Sequence, residues 1–209
     1  MTTQTVHLAI YDGLSDWEAG YATAHINGPL FQRHPDRYRV ATVAEGPEPV
    51  TTMGGLRIVP DLVLDELRPA DSAMLILPGA TTWDSGGNAA FARTARAFLD
   101  AGVPVAAICG ATAGLAAAGV LDGRDHTSNA AEYLAATGYA GADRYRDEPA
   151  VTDGDLITAS GVAPVEFARA IFRRLDLYEP AVLDAWTKLY GQGDPEGYAE
   201  LMAAAPAPA

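Results

Sequence analysis

Short unbroken apolar runs alternate along this chain with longer segments whose apolar residues recur every three or four positions. The runs, which predict strands buried on both faces, cover residues 6–11, 38–43, 73–77 and 103–108. The segments of helical spacing cover residues 17–31, 88–101, 110–118, 130–136, 165–175 and 179–190. This alternation predicts an α/β fold in which helices cover both faces of a mostly parallel sheet.

Turn residues mark three further elements. A glycine pair within residues 51–59 and an Asp-Gly pair within residues 145–158 indicate two hairpins, and residues 125–128 predict a short strand. Asp16 and Asn88 stand directly before helical segments, so each is a candidate N-cap.

The sequence shows no linker and no internal repeat. Its 209 residues are 49% hydrophobic and 20% charged, which is typical of a globular protein with a sizeable core. We therefore expect one α/β domain over residues 1–205 and a disordered tail at 206–209.

Charge and composition exclude several functions. The net charge of −13 argues against binding to nucleic acid or to an anionic membrane, because both require basic patches. The polar start lacks a signal pattern, and no apolar run is long enough to span a membrane. A single cysteine permits no intramolecular disulfide, so a cytoplasmic protein is expected. The four histidines lack metal-ligand spacing, and no metal site is predicted.

The single cysteine, Cys109, lies between the buried run 103–108 and the helical segment 110–118. A reactive side chain at a strand-to-helix turn is the geometry of a nucleophile elbow. The amino end of the helix favours a thiolate, so we expect a lowered pKa for Cys109. The alternative is that Cys109 is a small buried hydrophobic residue with no chemistry.

Glu18 and a glycine loop are the next candidates. Glu18 follows the first run, and strand ends of a parallel sheet meet at one edge, so its carboxyl group could meet the Cys109 sulfur. It would then donate a hydrogen bond or act as a base; alternatively, it only stabilises the helix dipole. Gly79 ends the third run, and its loop N–H groups, with that of Gly110, could bind an oxyanion unless the loop is an ordinary turn.

Three other polar residues are candidates for the lining of the site. His126 and Asn129 follow the predicted strand 125–128, and a histidine near a cysteine suggests a base and a nucleophile. Because side chains alternate along a strand, these two need not share an environment. Ser160 ends a β segment and is interpreted as a turn and cap that lines the site.

Together these segments resemble the ThiJ/PfpI superfamily, which has a flavodoxin-like, class I glutamine-amidotransferase-like fold. The segments that carry the resemblance cover residues 9–18, 75–79, 107–110, 119–124, 127–128 and 158–161. The resemblance implies that Cys109 is the reactive residue and that Glu18 hydrogen-bonds to it. It also implies that the backbone of Gly79, Ala80 and Gly110 binds an oxyanion, and that the protein is a homodimer.

The sequence departs from the superfamily at its histidine. The protease-like branch has a histidine directly after the cysteine, where Gly110 stands, and the deglycase-like branch has one where Asn129 stands. His126 lies three residues earlier. Asp84 falls where the protease-like branch supplies an acid from a neighbouring subunit. Without the histidine the triad is incomplete, so we expect neither peptidase nor glutamine amidotransferase activity.

The resulting prediction is a cysteine-dependent hydratase, lyase or hydrolase that needs no cofactor. Its substrate would be a small molecule with an electrophilic carbonyl, imine or isocyanide-like carbon, attacked by Cys109 with the help of Glu18. The alternative is a non-enzymatic redox sensor or stress-response protein in which Cys109 is oxidised reversibly.

Overall fold

The computed structural model of the protein describes residues 3–204, whose core is a sheet of seven strands. The strands are β1 (Gln4–Ala9), β2 (Tyr38–Ala44), β3 (Val50–Thr51), β4 (Arg57–Ile58), β5 (Leu62–Val63), β6 (Met74–Leu77), β7 (Val105–Ile108), β8 (Ala150–Asp153) and β9 (Leu156–Ala159). The sheet order is β5-β2-β1-β6-β7-β9-β8, and only the pairing of β8 with β9 is antiparallel within it. Strands β3 and β4 form a separate hairpin.

Helices cover both faces of this sheet, as the alternating pattern predicts. They are α1 (Gly20–Asn27), α2 (Ala89–Asp100), α3 (Gly110–Ala117), α4 (Ala131–Ala135), α5 (Pro164–Leu175), α6 (Pro180–Gln192) and α7 (Glu196–Ala204). The chain moves from β1 to β2 in one direction and from β6 to β7 in the other. Since such crossovers are right-handed, α1 and α2 lie on opposite faces. Helix α1 packs on α5, and α2 packs on α3.

The predicted fold class, the four buried strands and the two hairpins are confirmed. Strands β6 and β7 are buried along their whole length, which explains their unbroken apolar sequence. The carboxyl ends of β1, β6 and β7 lie side by side, because these strands are neighbours and parallel. Glu18, Gly79 and Cys109 follow these three ends, so the fold brings them to one edge of the sheet.

The first helix is shorter than predicted, and Asp16 is not its cap. Asp16 instead accepts hydrogen bonds from the Thr52 hydroxyl (2.5 Å) and the Gly54 N–H (2.7 Å), which ties the β3–β4 hairpin to the segment before α1. The helix begins only at Gly20. It ends at Asn27 because Pro29 disfavours helical geometry at the residue before it.

Other local predictions also differ from the structure. Residues 125–128 form no strand: His126 makes a single bridge to Tyr145, and the Thr127 N–H is taken by the Thr158 hydroxyl at 2.9 Å. Asn88 occupies the N-cap position of α2, but its side chain donates to Thr82 rather than capping. The short β5 and the helix α7 were not predicted, and the predicted tail 206–209 lies outside the described residues.

Over residues 3–204, none of the helices is both long and apolar enough for a membrane crossing.

Candidate active site

Cys109 occupies a strained turn between β7 and α3. Its backbone adopts φ 58° and ψ −126°, a region that residues with a side chain rarely occupy and that costs of order 1–3 kcal/mol. The turn is held on the strand side, where the Cys109 N–H donates to the Ala159 carbonyl at 3.0 Å. The half-buried side chain therefore projects from the amino end of α3, as expected for a nucleophile elbow.

Two buried hydroxyl groups hold the other side of this turn. The Thr112 hydroxyl donates to the Cys109 carbonyl at 2.6 Å, and it also lies 2.6 Å from the Ser128 hydroxyl. Both residues are buried, so water does not compete for these hydrogen bonds. The pair fixes the backbone that carries the sulfur.

Glu18 brings a carboxyl group to Cys109 in the interior of the protein. The residue is 0% exposed, and its Oε2 accepts a hydrogen bond from the Gly79 N–H at 2.5 Å. Its other oxygen, Oε1, has no hydrogen-bond partner among residues 3–204. Burial raises the pKa of Glu18, while the hydrogen bonds from Gly79, Cys109 and Ser15 oppose that rise. A carboxyl group whose pKa is raised in this way is better suited to accept a proton and return it.

The pKa of Cys109 is opposite to the prediction. Burial raises it to about 11, and the charge and hydrogen bond of Glu18 raise it further, whereas the amides of Asn129 and Gly110 lower it. The prediction of a lowered pKa is therefore wrong for the resting site. That prediction considered only the amino end of the helix, which lowers the pKa. Burial removes water from around the sulfur and raises the pKa, and this is the larger effect.

Two glycines leave the space that the sulfur occupies. A Cβ atom on Gly79 would lie 2.7 Å from the Cys109 Cβ and 2.8 Å from Glu18 Oε2. A Cβ atom on Gly161 would lie 2.8 Å from Cys109 Sγ. Both separations are shorter than van der Waals contact, so a side chain at either position would displace the Cys109–Glu18 pair.

Asn129 makes direct contact with the sulfur. Its Nδ2 donates to Cys109 Sγ at 3.3 Å, and its Oδ1 accepts from the Gly161 N–H at 2.8 Å. Because a backbone N–H can only donate, the amide oxygen must face Gly161 and the amide nitrogen must face the sulfur. Asn129 thus presents a hydrogen-bond donor where the resemblance implies a histidine in one branch.

Fewer backbone N–H groups are free to bind an oxyanion than predicted. The Gly79 N–H is committed to Glu18, so it is not available to a substrate oxygen. The Gly110 N–H is directed at the Cys109 sulfur and lowers its pKa. The Ala80 N–H meets no hydrogen-bond acceptor within the described part of the chain, and the Ala80 nitrogen lies 3.4 Å from the Cβ position of Gly110. Ala80 and Gly110 remain as candidate donors.

His126 does not line the site. It is completely buried, its Nδ1 lies 2.7 Å from the Arg124 carbonyl, and its Nε2 lies 3.0 Å from the Tyr139 hydroxyl. Since the carbonyl only accepts, Nδ1 carries a hydrogen and donates it to Arg124. Both nitrogens are committed, so neither can serve Cys109 as a base, and the alternative of a structural core histidine applies to His126.

Asp84 and Ser160 lie near the site, but their hydrogen bonds go to other residues than Cys109. Asp84 Oδ1 accepts from the Tyr133 hydroxyl at 2.5 Å, which joins the loop after β6 to α4. Burial raises the pKa of Tyr133, and so do Asp84 and the charges of Cys109 and Glu18, so this pair stands near the site. Ser160 forms a turn with Ala163, and a Cβ atom on its neighbour Gly161 would meet the sulfur.

Two contributors could not be found in the sequence: Thr112 and Tyr133 act through tertiary contacts that no motif signals. Ser128 and Gly161 lie in segments that carry the resemblance, but the sequence assigned neither of them its contact at the site. Among residues 3–204, no group of three or more His, Cys, Asp or Glu side chains could hold a metal ion.

The fold and this geometry define a class: an α/β protein with a cysteine at a strand-to-helix turn and a buried carboxyl group beside it. The chain belongs to the DJ-1/PfpI family, whose model matches residues 4–174. This agrees with the resemblance to the ThiJ/PfpI superfamily.

Several similar proteins match most of the chain or nearly all of it. The uncharacterized protease YoaZ of Bacillus subtilis is 41% identical over 205 residues, which are 97% of this chain and 98% of that protein. The uncharacterized protease YdeA of the same bacterium is 32% identical over 82% of this chain and 83% of its own. The crystal structure of a thiJ/pfpI family protein from Bacillus anthracis is 40% identical, covers 98% of this chain and 99% of its own, and superposes with a TM-score of 0.90.

Proposed function

We propose that the protein is a cysteine-dependent hydratase, lyase or hydrolase that acts on a small electrophilic carbonyl, imine or isocyanide-like carbon. The observation that carries this proposal is the buried Glu18 carboxyl group beside the strained Cys109 turn. A protein gains nothing in stability from a buried, half-partnered carboxyl group or from a cysteine at positive φ. Local cost of this kind concentrates at functional sites.

The shared first step is addition of the sulfur to the substrate carbon. For a carbonyl substrate, Cys109 Sγ forms a bond to carbon, and the π electrons of the carbonyl move to its oxygen. The thiol proton passes to Glu18, which acts as the general base because the high pKa of Cys109 keeps the resting sulfur protonated. The N–H groups of Ala80 and Gly110 stabilise the oxyanion. Glu18 then returns the proton to that oxygen.

The proposal is tested with a panel of small aldehydes, amides and isocyanides, with an unstructured protein substrate as a peptidase control. We expect turnover of at least one small electrophile and a mass increase on the Cys109 peptide when the reaction is stopped early. Failure of every small electrophile, together with no adduct, would overturn the proposal. Cleavage of the protein substrate would establish a peptidase instead.

Two relatives bear the name protease, yet we propose no peptidase activity for this chain. Amide hydrolysis requires a proton for the leaving nitrogen, which a histidine paired with the cysteine usually supplies. Gly110 and Asn129 stand at the two histidine positions, and neither can carry a proton.

Glu18→Gln should separate thiol reactivity from turnover. Glutamine can still accept from Gly79, but it removes the charge and the hydrogen bond that raise the pKa of Cys109. The pKa should therefore fall by roughly one unit, and alkylation by iodoacetamide at neutral pH should become about tenfold faster. Turnover should fall, because the base is lost. An unchanged alkylation profile would remove Glu18 from the site.

A second candidate is the redox sensor, and the free Glu18 oxygen favours it. A protonated Oε1 could donate to a sulfinate formed on Cys109. In the same experiment, peroxide treatment followed by intact mass distinguishes the two functions. A rapid, stoichiometric gain of two oxygens at Cys109, without turnover of any substrate in the panel, would support the sensor.

The remaining expectations rest on the family resemblance and on composition. We propose a cytoplasmic homodimer that takes a small-molecule substrate, needs no cofactor, and binds neither nucleic acid nor membranes. The acidic composition supports the last point.

A further inference from the structure

A chain of hydrogen bonds runs from the protein surface to the Cys109 sulfur. The Trp17 Nε1–H donates to the Gly161 carbonyl at 3.1 Å. The Gly161 N–H donates to Asn129 Oδ1 at 2.8 Å, and Asn129 Nδ2 donates to Cys109 Sγ at 3.3 Å.

The two contacts of Gly161 fix its backbone from both sides. Trp17 holds the Gly161 carbonyl, and the Gly161 N–H holds the oxygen of the Asn129 amide, so the Asn129 Nδ2 is directed at the sulfur. The last donor, Asn129 Nδ2, faces an atom that becomes negative when Cys109 loses its proton. Hydrogen bonding to the charged form lowers a pKa, and the Asn129 amide does lower that of Cys109.

We propose that Asn129 is the residue that stabilises the Cys109 thiolate, and that Gly161 and Trp17 position it. The proposal rests on the proposed function only in taking Cys109 as the reactive group. It gives the position of the missing histidine a definite role: a neutral donor that stabilises negative charge on sulfur but carries no proton. Glu18 is then the only proton carrier that reaches the sulfur within residues 3–204.

Trp17 connects this chain to the surroundings of the site. The residue is 51% exposed, so part of its ring faces solvent while its N–H is bound at the site. A substrate group that packs on the exposed ring would therefore act on the hydrogen bond between Trp17 and the Gly161 carbonyl. Val162, which is 91% exposed, follows Gly161 directly but makes none of these hydrogen bonds.

The test is a direct titration of the sulfur. Because Cys109 is the single cysteine, ¹³Cβ-cysteine labelling gives one resonance whose shift against pH reports the thiol pKa without any reaction. The titration is made in the full chain carrying Glu18→Gln, where a lower starting midpoint is expected. Asn129→Leu preserves side-chain size and removes the donor, Trp17→Phe removes only the first N–H, and Val162→Ala is the matched control.

Asn129→Leu should raise the midpoint so that the thiolate fraction at a fixed pH falls about tenfold, the usual effect of one hydrogen bond to a charged group. Trp17→Phe should lower that fraction about twofold, because it only loosens the Gly161 backbone that holds the Asn129 amide and leaves the amide itself in place. Val162→Ala should leave it unchanged. A purely structural role would alter folding without moving the midpoint in this pattern.

An unmoved midpoint in Asn129→Leu overturns the proposal. Equal midpoints in Trp17→Phe and Val162→Ala remove Trp17 from the chain of hydrogen bonds. The titration needs no substrate, so its outcome is independent of turnover. Shifted midpoints in a protein that turns over no electrophile would support the thiolate assignment and reject the enzymatic function.

Discussion

Replacing Cys109 with serine is expected to reduce turnover of a small electrophile at least ~10⁴-fold, the scale of loss when a nucleophile is removed from a working site. Serine has nearly the same size and can adopt the same turn, so the backbone and the Glu18 carboxyl group should stay in place. Its hydroxyl, however, is far less acidic than a thiol, and Glu18 cannot deprotonate it to a useful extent.

The measurement is steady-state turnover with the best substrate of the panel, with circular dichroism and thermal unfolding as checks on folding. Cys109→Ala serves as a second variant in which no nucleophile is left. Turnover within tenfold of the natural protein in either variant would show that the reaction occurs elsewhere on the molecule.

Replacing Gly161 with alanine is expected to reduce turnover on the order of 100-fold, the penalty for displacing a reactive group by about 1 Å. The added Cβ would lie 2.8 Å from Cys109 Sγ and 3.3 Å from Asn129 Oδ1. The sulfur, the amide or the Gly161 backbone must therefore move, and each of these movements disturbs the contacts that join Gly161, Asn129 and Cys109. Turnover and the thiol titration should change together.

Gly20→Ala is the matched control for this substitution. Gly20 begins α1 two residues after Glu18, and a Cβ atom there meets nothing within 4 Å. We expect unchanged turnover in Gly20→Ala. Gly79→Ala provides a second test, because its Cβ would press on both Cys109 and Glu18. Normal turnover in Gly161→Ala and Gly79→Ala would show that close packing around the sulfur is not needed for the reaction.

The sequence was sufficient to predict the main pair of this site. Cys109 could be placed because a buried apolar run and a helical segment meet at it, and this pattern leaves one geometry for the turn. For Glu18, the topology placed it only at the same edge of the sheet, because parallel strands bring their carboxyl ends together. Its hydrogen bond to Cys109 was implied by the family resemblance and not by the residue pattern, which also allowed a role at the helix end.

The remaining features depend on packing between distant segments. Gly161 lies 32 residues from Asn129, and Trp17 lies 144 residues from Gly161, so no local pattern connects them. Asp16 was predicted to cap a helix, but it accepts a hydrogen bond from Thr52, which lies 36 residues away in the chain. The pKa of Cys109 was mispredicted for a related reason: burial is a property of the folded protein, whereas a helix end can be recognised in the sequence.

The pairing of one thiol with one buried carboxyl group has an electrostatic consequence. When the proton moves from Cys109 to Glu18, the pair carries one negative charge before the transfer and one after it. The charge is displaced within the protein rather than created, so little new solvation energy is required. The net charge of −13 produces a negative potential that opposes the formation of further anions. Proton transfer within the pair forms a thiolate without adding to that total charge.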